Sequence, residues 1–304
     1  MKVFIVGAGA VGKALAVCLK QKGKDVQLIR GHVDQGEARR ENIVLEMKGD
    51  LKLEAEIEIT TLGNHHQLKG LVVLTNKSFG NKDLAEKLKP MIKDSPVVLL
   101  QNGLGVEQPF LENDFPEIFR CVLFLTAQHT LENTVSYKPV APSPVGSVGC
   151  GSTSLEGIVK ILDTPHFRFM AEKNIQRVIW KKAIANCVFN SICPLLEVDN
   201  GIFHRNKDVF AMAHRVITEC VTVANKKGID LGISELEEQV LTISRMSDGQ
   251  LISTLQDINN KRETEIDTLN FEIYRIAQAM NLASKVKETR LLGELIKLKS
   301  ELNR

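Results

Sequence analysis

The sequence contains neither a long apolar run nor a cluster of basic residues. No stretch approaches the ~18 uninterrupted apolar residues of a membrane-spanning helix. The chain has 39 Lys and Arg residues against 37 Asp and Glu residues, a formal net charge of +2, and the basic residues are scattered. Nucleic-acid-binding proteins concentrate basic residues in a patch or stripe. We therefore expect neither a membrane nor a nucleic acid among the partners of this protein.

Closely spaced cysteine pairs are missing as well. The six cysteines form no C-x-x-C pair, and most lie in apolar company: Cys18, Cys121, Cys150, Cys187, Cys193 and Cys220. A disulfide framework requires an oxidising compartment and a regular cysteine spacing. The pattern instead favours buried free thiols in a cytoplasmic protein, and we expect no metal centre.

A glycine-rich turn between a strand and a helix is the strongest motif present. Residues 2–6 are apolar after Lys2 and rich in β-branched side chains, which predicts a buried parallel strand, and residues 14–20 show helical spacing. Gly7, Gly9 and Gly12 lie between them as G-x-G-x-x-G. The first glycine permits the turn, the second leaves room for a pyrophosphate, and the third lets the helix pack on the strand. The stretch predicts a dinucleotide-binding site, rather than a purely structural turn or a signal peptide.

Basic residues near the ends of the next strands favour NADP over NAD. About twenty residues after the glycines, an NAD site usually has an acidic residue for the ribose 2′-hydroxyl. This sequence has Arg30 there, and a guanidinium suits a 2′-phosphate. The alternative is a solvated loop arginine, and Asp34 lies close in sequence. Lys77 follows a strand predicted over 70–75; it either reaches the same phosphate or opens a helix over 79–89 as a surface lysine.

A further strand, predicted over 95–100, ends at Gln101-Asn102-Gly103-Leu104-Gly105. Asn102 is therefore predicted at the carboxyl edge of the sheet, where ligands bind in such folds. Its amide either binds the nicotinamide ribose or the substrate, or it belongs to a plain Asn-Gly turn. Additional β-structure is predicted over 43–61, 122–125, 135–137, 145–148 and 166–170, and a short helix over 153–162.

The strand pattern stops near residue 170. A chain of 304 residues is long enough for two domains of ~100–200 residues each. We predict an α/β Rossmann-type N-terminal domain over 1–170 and an all-α C-terminal domain over 171–304. Helices are predicted over 171–193, 205–227, 234–247, 253–260, 264–281 and 285–302. The last helix has leucines at positions 291, 295, 298 and 302, interpreted as core because the row is too short for a coiled coil. A homodimer is compatible with the sequence, but no pattern indicates one.

Two polar clusters interrupt the helical half. Lys182, Asn186 and Asn190 have the i, i+4, i+8 spacing that places them on one helix face. A solvated face would explain the lysine but not two asparagines among apolar neighbours, so a polar stripe facing a cleft is favoured. The second cluster is Ser253-Thr254-Leu255-Gln256-Asp257, followed by Glu263-Thr264-Glu265-Ile266-Asp267. Glu263, Glu265 and Asp267 are predicted at a helix start, where carboxylates stabilise the helix dipole. The spacing does not indicate which of them, if any, takes part in catalysis.

Four motifs together resemble the ketopantoate reductases (2-dehydropantoate 2-reductases), and the resemblance extends along essentially the whole chain. They are the glycine fingerprint, residues 101–105, the polar stripe from Lys182 to Asn190, and the cluster from Ser253 to Asp267. It implies a Rossmann domain followed by a helical domain, with NADPH in the cleft between them. It also implies reduction of a small 2-keto acid, 2-dehydropantoate, to pantoate on the way to pantothenate and coenzyme A. The two helical motifs, in this order and spacing, are more specific than the glycine fingerprint.

The resemblance further implies a role for each matching residue. Lys182 would be the general acid that protonates the ketone oxygen, and Glu265 would hold the substrate hydroxyl and orient the lysine. Asn102 would span cofactor and substrate. The remaining residues would bind the substrate oxygens (Asn186, Asn190, Ser253), the pyrophosphate (Gly7, Gly9, Gly12) or the 2′-phosphate (Arg30, Lys77).

Some stretches depart from the family pattern: 124–129, 141–144 and Ser191. They leave open a relative that acts on another branched 2-keto acid. A catalytically inactive nucleotide-sensing relative is a third hypothesis, which the presence of both Lys182 and Glu265 disfavours.

Overall fold

The structure is a computed structural model that describes residues 1–31, 34–149 and 153–304. By its internal contacts the chain divides into two compact units. The first comprises residues 1–101 and 106–175, and the second comprises residues 102–105 and 176–304. A four-residue segment of the amino-terminal half is thus part of the second unit.

The first unit is built on one mixed sheet. Its strands are β1 (Val3–Val6), β2 (Val26–Arg30), β3 (Arg39–Glu46), β4 (Lys52–Thr61), β5 (Leu71–Leu74), β6 (Val97–Leu99), β7 (Ile118–Cys121), β8 (Leu125–Leu131), β9 (Thr134–Pro139), β10 (Ser143–Ser147) and β11 (Phe169–Ala171). Its helices are α1 (Ala10–Gln21), α2 (Asn81–Ile92), α3 (Gln108–Glu112) and α4 (Leu155–Leu162). In the described part of the chain the strand order is β11-β10-β7-β6-β5-β1-β2-β4-β3-β9-β8.

The centre of the sheet is parallel, which fixes where the strand ends lie. β1 pairs in parallel with β2 and β5, and β6 extends the parallel set beyond β5. Because side chains alternate across a strand, Val3 and Ile5 join the core beneath α1, while Phe4 and Val6 join the core beneath α2. Helices therefore cover both faces, and the carboxyl ends of β1, β2, β5 and β6 lie along one edge, as in Rossmann folds.

The second unit is helical in its described residues. Its helices are α5 (Ile175–Leu196), α6 (Ile202–Arg205), α7 (Lys207–Lys226), α8 (Ile233–Met246), α9 (Ser253–Asn259), α10 (Asn270–Ala279) and α11 (Lys287–Leu302). The predicted fold class is confirmed: a mainly parallel sheet with helices is followed by an all-α region. No described helix is long and apolar enough to span a membrane.

Three local predictions are wrong. The strand predicted over 122–125 lies earlier, as β7, and β8 begins only at Leu125. The helix predicted over 264–281 begins at Asn270, because residues 266–268 form a 3-10 turn. The leucine row of α11 is not core: Leu291, Leu295, Leu298 and Leu302 are 54%, 41%, 54% and 85% exposed.

The cysteines fit the interpretation made from their spacing. The five cysteines in the described residues are free and buried; Cys150 lies outside those residues. Burial raises the pKa of the Cys18 and Cys193 thiols to about 12. Both thiols therefore stay protonated at neutral pH and are poor nucleophiles.

Candidate active site

The glycine-rich turn joins β1 to α1, and its three glycines are required for different reasons. A Cβ on Gly7 would lie 2.4 Å from the Asn76 nitrogen, and one on Gly12 would lie 1.9 Å from the Gly7 oxygen. These two positions are closed to any side chain by the protein itself. A Cβ on Gly9, in contrast, would meet no described atom within 4 Å. The space above Gly9 is what a bound pyrophosphate requires.

The start of α1 supports the same ligand. The helix begins after Gly9 without a side-chain cap, and the described first turn contains no acidic residue. The N–H groups of a helix start and the positive end of its dipole favour an anion. The residues present therefore fit the diphosphate of a dinucleotide.

Arg30 ends β2, and its guanidinium is only partly satisfied by the protein. Its Nη2 donates to the Glu37 carbonyl at 3.2 Å, whereas its Nε is buried and has no partner among the described residues. The guanidinium lies against Gly36, where a Cβ would be 2.7 Å from Nη2. Asp34, the nearby acid, pairs with Lys87 at 2.6 Å. A buried donor without a partner is costly, and an anionic ligand would remove that cost.

Lys77 lies three residues beyond the end of β5 and is exposed. It precedes the 3-10 turn Ser78–Gly80, and α2 starts only at Asn81, so Lys77 does not open that helix. The ends of β2 and β5 are adjacent, since a Cβ on Gly31 would lie 3.4 Å from the Asn76 Cβ. The structure thus places Arg30 and Lys77 at the ends of strands that both flank β1.

A buried polar network, which the sequence did not reveal, ties the ends of β5 and β6 together. The Asn81 amide nitrogen donates to Gln101 Oε1 and to the Val106 carbonyl, both at 2.8 Å. The Gln101 amide nitrogen donates in turn to the Asn76 carbonyl at 3.0 Å and to Asn81 Oδ1 at 2.7 Å. Only the position of these amides just beyond apolar strands could have indicated the network.

In the second unit, Asn102 lies on a loop held against the turn that follows Glu265. The Leu104 N–H donates to the Thr268 carbonyl at 2.8 Å. Gly103 has a φ of +97°, and a Cβ there would lie 2.4 Å from Thr268 Oγ1, so only glycine fits. Thr268 Oγ1 donates to the Glu265 carbonyl at 3.1 Å. Two motifs more than 150 residues apart in sequence are therefore neighbours.

Lys182, Asn186 and Asn190 follow one face of α5, as the spacing predicts. Lys182 and Asn186 are half-buried and Asn190 is 3% exposed. Lys181, one residue earlier, pairs with Glu235 at 2.8 Å. A solvent-exposed face does not account for a stripe that ends in a buried asparagine.

The end of the polar stripe meets the start of α9. The side-chain oxygen of Asn190 accepts hydrogen bonds from Thr254 Oγ1 at 2.8 Å and from Ser253 Oγ at 3.3 Å. Because its oxygen accepts both hydroxyls, the NH₂ of Asn190 is directed elsewhere as a pair of donors. The structure therefore brings Asn190 and Ser253 together; Thr254 is a partner that the sequence did not indicate.

Glu265 is half-buried and precedes the 3-10 turn Ile266–Thr268, rather than lying within a helix. The dipole role predicted for Glu263, Glu265 and Asp267 is therefore wrong, because α10 begins several residues later, at Asn270. No group of three or more metal-ligating side chains occurs in the described residues.

Comparison with known proteins covers both units. The family model described as "Ketopantoate reductase PanE/ApbA" matches residues 3–142, and "Ketopantoate reductase PanE/ApbA C terminal" matches residues 174–300. A 2-dehydropantoate 2-reductase of Pyrococcus abyssi is 29% identical over 303 residues, with 99% of each chain covered.

Solved structures share the fold. D-mandelate dehydrogenase with NADH and anilino(oxo)acetate has a TM-score of 0.87 at 23% identity, covering 100% of this chain and 99% of that chain. A dimeric ketopantoate reductase from Staphylococcus aureus has a TM-score of 0.82 at 19% identity, covering 100% of both chains. Since the two family models match both units, the chain belongs to the ketopantoate reductase family of NADP-dependent oxidoreductases.

Proposed function

We propose that this protein reduces 2-dehydropantoate to pantoate, with NADPH as the hydride donor. The observation that carries the proposal is the polar stripe of α5, whose last residue, Asn190, is hydrogen-bonded to Ser253 at the start of α9. The curated relative from Pyrococcus abyssi bears this activity in its name. The chain's own residues must supply a proton, bind a carboxylate and recognise a hydroxyl.

The residues assigned to substrate and to cofactor phosphates fall into different units. Asn102, Lys182, Asn186, Asn190, Ser253 and Glu265 all belong to the second unit. Gly7, Gly9, Gly12, Arg30 and Lys77 all belong to the first. We assign the residues of the second unit to the keto acid and those of the first unit to NADPH, with Asn102 contacting both.

NADPH, when bound, supplies the hydride that reduces the ketone carbon. The Lys182 ammonium hydrogen-bonds the ketone oxygen, stabilises the negative charge that develops there, and donates the proton that completes the hydroxyl. The NH₂ donors of Asn190, oriented by Ser253 and Thr254, suit the substrate carboxylate. Asn186, one turn before Asn190 on the same face, adds a second amide.

Glu265 is assigned to the hydroxyl group of the substrate. A half-buried carboxylate is a strong acceptor for an O–H donor. A site built to bind a hydroxyl discriminates strongly against an analogue that lacks it, because the hydrogen bond to that hydroxyl is then lost. Glu265 is therefore the residue that would select 2-dehydropantoate over a simple branched 2-keto acid.

The test follows NADPH absorbance with purified protein and two matched substrates. One is 2-dehydropantoate, and the other is 3-methyl-2-oxobutanoate, which lacks only the hydroxymethyl group. We expect a much higher kcat/KM for 2-dehydropantoate, and we expect Glu265→Ala to reduce that preference mainly by raising KM for 2-dehydropantoate. Equal kcat/KM values for the two acids in the wild-type protein would contradict the substrate assignment.

The other candidate substrate is a different 2-keto acid, because the fold also matches that of D-mandelate dehydrogenase. Phenylglyoxylate, the keto acid related to mandelate, therefore belongs in the substrate panel. Preference for phenylglyoxylate would retain the reaction class and replace the substrate. NADPH binding without turnover of any keto acid would instead favour a nucleotide-sensing protein.

A further inference from the structure

The loop of residues 34–37, the β2 loop, approaches the Arg30 guanidinium from one side. The Glu37 carbonyl accepts from Arg30 Nη2 at 3.2 Å. A Cβ added to Gly36 would lie 2.7 Å from the same Nη2 and 3.4 Å from Thr61 Cγ2. The backbone at Gly36 and Glu37 therefore limits where the guanidinium can lie, and the shape of the β2 loop sets the direction of Arg30.

The 3-10 turn that follows β4 holds the β2 loop through two hydrogen bonds. The Gly63 N–H donates to the Asp34 carbonyl at 2.8 Å. The Asn64 amide nitrogen donates to the Gly36 carbonyl at 3.1 Å. Both donors belong to this one short turn. The β2 loop is thus fixed at residues 34 and 36 by a segment that lies outside the glycine-rich motif.

Asn64 is itself anchored to the strand beside Arg30. Its Oδ1 accepts from the Thr61 N–H at 2.8 Å and from Thr61 Oγ1 at 3.0 Å. Thr61 is buried and is the register partner of Arg30 where β4 pairs with β2. The Asn64 amide therefore uses its oxygen on the sheet and its nitrogen on the loop. The contacts close a ring from Arg30 through Thr61, Asn64 and Gly36 back to the guanidinium.

We propose that Asn64 is a positioning residue for the choice of cofactor, because it holds the β2 loop in the shape that directs Arg30 to the 2′-phosphate. The inference rests on the assignment of Arg30 in the proposed function. A guanidinium that is already ordered loses less conformational freedom when it binds an anion, and such preorganisation raises affinity. NADH lacks the phosphate and gains nothing from it, so Asn64 acts on the preference between the two cofactors.

The position of Asp34 supports the same choice of cofactor. An acidic residue near the end of this strand usually binds the ribose 2′-hydroxyl of NAD. Here Lys87 of α2 pairs with the Asp34 carboxylate at 2.6 Å, while the Asp34 carbonyl is held by Gly63. The loop geometry that supports Arg30 therefore also keeps Asp34 paired with α2, and both features favour NADPH over NADH.

The first experiment measures the Kd values of NADPH and NADH by fluorescence titration, without keto acid. Asn64→Ala should raise the Kd of NADPH about three- to ten-fold, as expected for the loss of one hydrogen bond, and leave that of NADH nearly unchanged. Asn113→Ala is the matched control, because the Asn113 amide also donates to a backbone carbonyl, that of Pro109, at 2.9 Å. It should change neither Kd. Equal weakening of both cofactors by Asn64→Ala, or no weakening, overturns the proposal.

A double-mutant cycle separates this inference from the assignment of Arg30. In an Arg30→Ala background, Asn64→Ala should weaken NADPH binding no further, because the guanidinium that it positions is gone. Additive effects of the two substitutions overturn the inference and leave Arg30 in its role. If Arg30→Ala itself leaves the ratio of the NADPH and NADH affinities unchanged, the assignment of Arg30 fails and the inference fails with it.

Thr61→Val tests the ring from its buried side and does not depend on Asn64→Ala folding. Valine keeps the volume of the side chain and removes the hydroxyl that binds Asn64. The preference for NADPH should fall in the same direction as in Asn64→Ala, by a smaller factor, since the Thr61 N–H still holds the amide. Circular dichroism verifies that each variant is folded. A wild-type preference in Thr61→Val contradicts the ring.

Discussion

Lys181 and Lys182 are adjacent on α5, and we propose different roles for them. Lys181 shares Glu235 with Arg177, through contacts of 2.8 Å and 2.7 Å. Lys182 lies on the stripe that leads to Asn186 and Asn190. A second lysine next to Lys182 on the same helix, but off this stripe, is a natural internal control for the proposed proton donor.

We predict that Lys182→Ala lowers kcat for keto-acid reduction by a factor on the order of 10²–10⁴, the usual contribution of a general acid. NADPH affinity should change little, because Lys182 is not assigned to the cofactor phosphates. Lys181→Ala removes a partly exposed ion pair and should leave kcat within a few-fold of wild type. Steady-state kinetics and cofactor titration make the comparison, and an unaltered kcat in Lys182→Ala would remove this lysine from the mechanism.

Arg30 makes a second prediction at the scale of single residues. Its buried Nε, which has no partner among the described residues, and its place at the end of β2 are the basis for proposing it as a ligand of the 2′-phosphate. Arg30→Ala should weaken NADPH binding ten-fold or more and NADH binding only slightly, because NADH lacks that phosphate. Arg40→Ala, at an exposed ion pair with Glu56, is the control. Fluorescence titration with both cofactors provides the test, and equal weakening of the two would contradict the assignment.

The βα turn gives a prediction at the scale of an element, because its glycines are required for different reasons. Gly9→Ala should leave the free energy of unfolding within about 0.5 kcal/mol of wild type, since its methyl group meets no described atom. Its NADPH affinity should nevertheless fall at least ten-fold. Gly12→Ala should destabilise the fold itself, because its methyl group would overlap the Gly7 carbonyl. Denaturant unfolding and cofactor titration of both variants distinguish a ligand cradle from a packing requirement.

Periodicity predicted most elements, and it failed where a helix has two apolar faces. In α11, Leu292 and Ile296 are buried while Leu291 and Leu295 are exposed, although all four are equally apolar. Which face meets the core is decided by α7 and α10, which a one-dimensional pattern does not contain. The start of α10 was also misplaced: the helix predicted from residue 264 begins only at Asn270, because Leu269 adopts φ −114° and ψ −102°, outside the helical range.

The sequence predicted those parts of the candidate site that belong to one local motif, and it did not predict contacts between residues far apart in the chain. Gly7, Gly9 and Gly12 are one turn, so their spacing alone specifies their geometry. The link between Asn190 and Ser253 spans 63 residues, and only the family resemblance grouped the two residues together. Asn81 and Gln101 form a buried pair that neither periodicity nor resemblance indicated. No sequence spacing identifies such amide pairs, because their partners are determined by the tertiary fold.

At the scale of the whole molecule, one carboxylate makes stability depend on pH. Asp199 binds the Arg205 guanidinium at 2.7 Å and the Gly201 N–H at 2.7 Å. The hydrogen bond from Arg205 is the main reason that its pKa falls from 3.8 to about 2. A folded-state pKa below the unfolded value adds stability that is complete above the unfolded pKa and is lost as the pH falls through the folded pKa.

We therefore expect Asp199→Asn to unfold at a lower temperature than wild type at neutral pH. The difference should shrink as the pH falls below about 4 and approach zero only below about 2, where the wild-type carboxylate becomes mostly protonated as well. Asp50→Asn is the control: Asp50 is exposed at a φ of +58°, which asparagine also tolerates. Thermal unfolding across this pH series provides the measurement. A difference that stays constant with pH would assign the effect to packing instead.

The assignment of residues 102–105 to the helical unit has a consequence for recombination between relatives. Gly103 lies against Thr268 and Gly105 against Glu272, with added Cβ atoms at 2.4 Å and 2.8 Å from them. A chimaera joined at a single point near residue 170 would pair one parent's 102–105 loop with another parent's 265–272 segment. A chimaera that keeps this packing intact therefore needs two grafted pieces, the helical half and this four-residue loop, inherited together.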